Sequence, residues 1–347
     1  MLFNRRFAWV LCFLMMALAA CGPSSDELLV SAVEQGDAAT VKSLLDQGAN
    51  ATQNAAQGKS LLMIAAEKGN AEIVEALIAK GANVNSKDMA GKSALMLAAA
   101  NGDVGIVNSL LDSGADVSVK DFDGLTPLLH AAGGGHAEVA KALIGKGADV
   151  NGKDNSARTA LTHAALSGNA ATVRFLIENG ADPNVGDFEG CTAVILASSE
   201  GQEAAVQALV EGEAELDTAG QDGCTAVLRA AEHGHAGVVA ILLENGASVD
   251  AKDNMDRTAL MRASENGHLE TVRTLIENKA EVNAVDKSMQ TALLWAALRG
   301  HPEVVKLLIE KRADLKATDK NGWTALKWAE NNGHDDVAAV LKEAGAQ

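Results

Sequence analysis

The chain has 347 residues and is 48% apolar, ample for a large buried core. A formal net charge of −17 excludes the basic footprint of nucleic-acid recognition, and an acidic membrane surface would repel most of such a chain. Aromatics amount to 3% and tyrosine is missing, so any cluster of tryptophans stands out.

The first residues differ from the rest. Arg5 and Arg6 precede an uncharged run from Phe7 to Ala17, and Leu18-Ala19-Ala20-Cys21 follows. A basic stretch, an apolar stretch and a small-residue cleavage site are the parts of a secretory signal. The apolar run is too short for a transmembrane helix of ~20 residues. Leu-Ala-Ala-Cys resembles the lipobox of bacterial lipoproteins. That resemblance implies cleavage before Cys21, then a diacylglycerol thioether and an N-acyl chain on that cysteine. Several acyl chains anchor stably where one binds marginally. Gly22 rather than Asp after the cysteine implies, in such lipoproteins, the outer membrane. Residues 1–20 then form a signal peptide and residues 21–26 the lipidated cysteine with a polar tether, so that the rest faces the periplasm.

Beyond the tether an internal period sets the organisation. Steps of 33 from Gly36 to Gly333 land on glycine every time, and steps of 33 from Ala49 to Ala346 land on alanine. The units divide at about 25–57, 58–90, 91–123, 124–156, 157–189, 190–222, 223–255, 256–288, 289–321 and 322–347. Within one unit Leu161, Ala164 and Ala165 fall at i, i+3 and i+4, one face of a short predicted helix. Gly168 breaks it, and Val173, Leu176 and Ile177 mark a second helix. Gly180 ends that helix in the left-handed conformation. A polar segment through Asp187 and Gly190 turns back as a hairpin-like loop into Thr192.

The period, Gly124-Leu125-Thr126-Pro127-Leu128, "GADVN" at 147–151 and "GHLETVRTLI" at 267–276 resemble the ankyrin-repeat family over residues 27–347. The resemblance implies an all-α solenoid of about ten 33-residue helix–turn–helix repeats joined by hairpin-like loops, with the loop tips and first helices lining a concave face. One repeat leaves an apolar face uncovered and needs its neighbours. The first unit lacks the Thr-Ala-Leu entry and the last stops after its second helix, as end caps do. Two departures stand out. The family's histidine slot holds Met63, Met96, Leu129, Thr162, Ile195, Leu228, Met261, Leu294 and Lys327, which exchanges a polar contact for packing. Glu213, Lys279 and Arg312 replace the glycine after the second helix, at about 1 kcal/mol each if left-handed.

Several motifs reduce to repeat furniture. Gly58-Lys59-Ser60 and Gly91-Lys92-Ser93 lack the upstream glycine of a phosphate loop, at Gln53 and Ser86. His136, His235, His268, His301 and His334 follow the ruler glycine and start second helices, and His130 and His163 bring at most two imidazoles together, short of a zinc ligand set. Cys191 and Cys224 share a slot in stacked repeats. Two strand spacings, roughly 9.6 Å, exceed disulfide reach, so both are expected as free thiols. Asp121-Phe122-Asp123-Gly124 lacks the remaining ligands of a calcium loop, and the recurring aspartate reads as turn chemistry. No cofactor, metal or small-molecule substrate is expected.

The variable surface remains. Past Trp9, every tryptophan lies in the last two repeats: Trp295, Trp323 and Trp328. Arg229, Arg257, Arg262 and Arg299 stand before or among them. Arginine and tryptophan are the types enriched at binding hot spots, and this patch would attract an acidic or aromatic-accepting partner. Phe122 and Phe188, at matching loop tips two repeats apart, form a second partner-binding candidate. The alternative for Trp295 and Trp328 is that they stack on each other across repeats.

The functional expectation is a non-catalytic protein-binding module on an outer-membrane lipoprotein, with an unidentified protein partner. Alternatives are an immunity protein or inhibitor that neutralises a toxin or enzyme, and a structural tether of an envelope complex. No nucleophile triad, acid–base pair or cofactor motif argues for an enzyme.

Overall fold

A computed structural model describes residues 24–347. Cys21 and the signal segment lie outside the described residues. Among those described, the regular structure is helical: α-helices from Ser25–Gln35 to Asp335–Glu343, arranged in pairs, with two isolated bridges, Asn54 to Ser60 and Lys87 to Ser93, in the hairpin-like loops. The residues fall into two units. The first takes the described residues up to Pro127 together with Lys141–Ala148, and the second takes Leu128–Ala140 and Asp149–Gln347.

In the first unit, Leu61–Glu67 packs between Ser25–Gln35 and Ala94–Asn101, while Ala71–Ala79 packs between Ala38–Asp46 and Val104–Asp112. First helices therefore contact first helices and second helices contact second helices. The second unit repeats the rule. Its first helices Ala160–Leu166, Ala193–Ser199, Ala226–His233, Ala259–Glu265, Ala292–Arg299 and Ala325–Asn331 pack in succession, as do the second helices that follow them.

The helices begin where a hydroxyl can satisfy an otherwise unpaired amide. Ser60, Ser93, Thr159, Thr258, Thr291 and Thr324 each accept the N–H three residues on. The Gly-Lys-Ser motifs are thus helix starts. The first helix, which lacks this entry, uses a capping box in which Ser24 and Glu27 exchange bonds.

The ruler glycine has two causes. At Gly234 φ is 80°, and a Cβ there would lie 2.6 Å from Nδ1 of His268 in the next repeat. That ring is held by its other nitrogen: Nε2 of His268 donates to the carbonyl of Glu232 at 3.1 Å. The same clasp joins His235 to Ser199, His301 to Glu265 and His334 to Leu298. These histidines are structural, as expected from their slot. Burial lowers the His268 pKa, which favours the neutral ring, and the Glu232 carbonyl places the proton of that ring on Nε2.

Glu213, Lys279 and Arg312 do adopt the left-handed conformation, with φ of 58°, 70° and 67°. Non-glycine residues there cost about 1 kcal/mol apiece. Sequence reading missed a second set: Ala157, Asp256 and Met289 are left-handed at loop tips, where Gly91, Gly124, Gly190 and Gly223 stand in other repeats. The core is the expected stripe. Leu293, Leu294, Ala296 and Ala297 are all buried, and so is the family histidine slot in every repeat from Met63 to Leu294.

Candidate interaction surface

Most loop tips are organised by one carboxylate. Oδ1 of Asp286 accepts the backbone N–H of Ser288 (2.7 Å) and of Gln290 (2.9 Å). Asp88, Asp121, Asp154, Asp187, Asp253 and Asp319 bind the corresponding two amides in their own repeats. An aspartate that accepts its own downstream amides is the turn chemistry expected of this slot.

In three repeats the second oxygen reaches the residue nine positions on, in the first helix. Asp154 Oδ2 takes Nε2 of His163 (2.9 Å), Asp253 Oδ2 takes a terminal guanidinium nitrogen of Arg262 (2.5 Å), and Asp286 Oδ2 takes Nε1 of Trp295 (3.2 Å). Imidazole, guanidinium and indole thus perform one task, locking the tip to the helix. The repeat that carries Gly220 in the aspartate slot lacks the lock, and its Arg229 turns to Asp222 instead.

These locks alter the standing of the arginines. Arg262 is 8% exposed, not a surface contact residue, and both of its guanidinium ends are spent within the chain. It sits in an alternating series through four repeats. Asp222 pairs with Arg229 (2.6 Å), which pairs with Glu232 (2.9 Å), and Glu232 pairs with Arg262 (2.6 Å). Asp253 joins Arg262 to Arg257 (2.9 Å), and Glu265 joins Arg257 (3.8 Å) to Arg299 (2.6 Å). Burial pushes the Asp253 carboxyl up, but the Arg257 N–H, the Arg262 guanidinium and the Met255 N–H outweigh it and hold it below the usual carboxylate value. Arg229 and Arg257 are half-buried in this series, and Arg299, at its end, is exposed.

The signal that sequence reading missed is the nine-residue offset. A residue on the helix wheel was judged only against its own helix, while the partner stood in the preceding loop. Trp295 is half-buried by its lock to Asp286. Trp328 pairs not with Trp295 but with Trp323 of its own repeat, ring centroids 4.7 Å apart and planes at 50°. Its Nε1 is buried without an acceptor, and Oδ2 of Asp319, the oxygen that serves the lock in other repeats, receives Nδ2 of Asn321. Lys327 Nζ stands 4.6 Å above the Trp323 ring.

The phenylalanines meet the expectation of exposure: Phe122 is 72% and Phe188 66% exposed. Their backbones are pinned, since Phe122 N–H donates to the Ala90 carbonyl in the first unit and Phe188 N–H to that of Ser156 in the second. In the later tips of the second unit the same slot bonds inward. Gln221 Nε2 donates to the Phe188 carbonyl, Asn254 Nδ2 to that of Gln221, and Lys287 Nζ to that of Asn254.

Cys191 and Cys224 are free and buried, as the spacing argument requires. Burial pushes the Cys224 thiol up to about 12, although its Sγ accepts a bond from Arg262. Burial also raises Cys191, reinforced by Asp187. Such thiols are not nucleophiles at neutral pH.

A family model for ankyrin repeats (3 copies) matches residues 29–121, 107–187, 194–286 and 260–347. A comparison with curated proteins finds no match. With paired helices, left-handed glycines and aspartate-closed tips in most of the matched repeats, the chain belongs to the ankyrin-repeat family, whose repeats are protein–protein interaction modules.

Proposed function

We propose that the protein is a non-catalytic partner-binding module, lipid-anchored at Cys21 to the outer membrane and facing the periplasm. The observation that carries the binding role is the construction of the tips. Backbone bonds and, in most tips, an aspartate fix the loop, yet slots that the repeat leaves unspecified display large apolar side chains such as Phe188. A surface already held in place loses little entropy when it binds, which favours specific recognition. The anchor rests on Leu18-Ala19-Ala20-Cys21 alone.

Cross-linking of the full chain in isolated envelopes, followed by mass spectrometry, identifies the partner, and reconstitution with that partner tests the face. Phe122→Ser and Phe188→Ser, both at exposed positions, leave the circular dichroism spectrum unchanged. At least one of them weakens binding. Retained affinity in the double variant would remove the tips from the binding face. For the anchor, Cys21→Ser abolishes incorporation of labelled palmitate and releases the protein from the membrane fraction; continued labelling disproves it.

A further inference from the structure

The polarity of the loop-and-first-helix face reverses along the second unit. Residues 187–200 and 220–233 carry the acids Asp187, Glu189, Glu200, Asp222 and Glu232 against a single cation, Arg229. In the equivalent segments three repeats on, residues 286–299 and 319–332, the cations are Lys287, Arg299, Lys320 and Lys327. The acids there are Asp286 and Asp319, both buried within their turns, and Glu330, which pairs with Lys342. Lys320 and Lys327 are exposed, and neither takes part in an ion pair among the described residues.

Apolar surface accompanies the charge. Trp323 and Trp328 are half-buried, and Met289 is 49% exposed on the tip to which Lys320 is bonded through the Ser288 carbonyl. Met289 holds that place in a left-handed conformation with φ of 60°, where other tips use glycine. A strained residue that also exposes a long apolar side chain points to a constraint other than folding. Lys327 is similarly out of pattern, because the same slot is buried in all eight preceding repeats from Met63 to Leu294.

We propose that Lys287, Met289, Lys320, Trp323 and Lys327 form a docking surface for an acidic segment of a partner protein, one that sets an apolar side chain between its carboxylates. This rests on the partner-binding reading above and fixes where and what chemistry the module binds. Cations take the carboxylates and the indole platform with Met289 takes the apolar side chain. The acidic repeats before it repel the same segment, so charge and the apolar platform together set its position.

The test selects random linear peptides by phage display on the full chain, then titrates single peptides. Apart from Trp9, every tryptophan lies in these repeats. Emission in a Trp9→Phe background therefore reports this surface directly. Selected peptides are expected to be rich in Asp or Glu beside an apolar residue and to shift that emission. Lys320→Glu and Lys327→Glu, at exposed sites, each weaken binding by about tenfold, a loss typical of one removed charge contact. Met289→Gly weakens binding while raising the unfolding midpoint. Peptides without acids, or affinities indifferent to both reversals, overturn the proposal. Equal, Lys320-dependent binding to phosphatidylglycerol vesicles overturns it in favour of a lipid surface. Peptides whose binding ignores the reversals but is lost in Phe188→Ser leave the partner-binding reading standing and this site refuted. Failure to select any peptide or to cross-link any envelope protein refutes both.

Discussion

Arg262 illustrates how one side chain is decided by what surrounds it. Removing it takes from the buried Asp253 one of its two guanidinium partners and leaves Arg257, so the loss falls at the low end for breaking a buried pair, about 3 kcal/mol. Arg299→Ala, at an exposed pair, changes stability by less than about 1 kcal/mol. Urea unfolding of the two variants checks the contrast, and equal losses would contradict the burial argument. The pH dependence follows in sign. Because the folded Asp253 carboxyl lies below its unfolded value, its contribution is complete above about pH 4 and drains away as pH falls through the folded value. Arg262→Ala flattens that acid limb. The thiols yield a second residue-scale outcome. Native Cys191 and Cys224 resist iodoacetamide near pH 8, and both react once the chain is unfolded, as peptide mass spectrometry would record. Rapid native alkylation of Cys224 would be inconsistent with its burial.

At the scale of the helix and the turn, most of the fold was legible because a 33-residue period repeats every constraint many times over. Helix starts at Thr159 and Thr291, the buried alanine pairs and the left-handed Glu213, Lys279 and Arg312 all follow from position in the unit. Those last three turns carry strain that glycine relieves. Replacing all three by glycine raises stability by about 1 kcal/mol per site, roughly additively, in denaturant melts. An unchanged midpoint would mean that the turns are not strained. What the period concealed was the traffic between one element and the next. A helical wheel assigns Arg262 and Trp295 to an outward edge, and it is correct about direction. The loop that folds back over that edge belongs to the preceding unit boundary, so the burial of Arg262 emerges only when Asp253 and Glu232 are placed in space. Phe122 and Phe188 were legible for the opposite reason: nothing folds over a tip.

On the scale of the whole chain, charge and pattern are unevenly distributed. The last two repeats balance eight cations against eight acids and hold every indole past Trp9, while acids prevail in the repeats before them. The locks and clasps of the second unit have a further consequence for how such an array can change length. A lock crosses the boundary between adjacent units, as a clasp does, so both find equivalent partners after any cut made in register. Excision of residues 256–288 would bring Trp295 to Asp253, Arg299 to Glu232 and His301 to the Glu232 carbonyl, each in place of the equivalent partner it has now. The shortened chain is expected to keep its helicity per residue and to melt cooperatively, whereas a cut displaced by a few residues would not. Recombination that respects the 33-residue frame would then cost this protein almost nothing in fold, leaving loop-tip identity as the quantity free to vary.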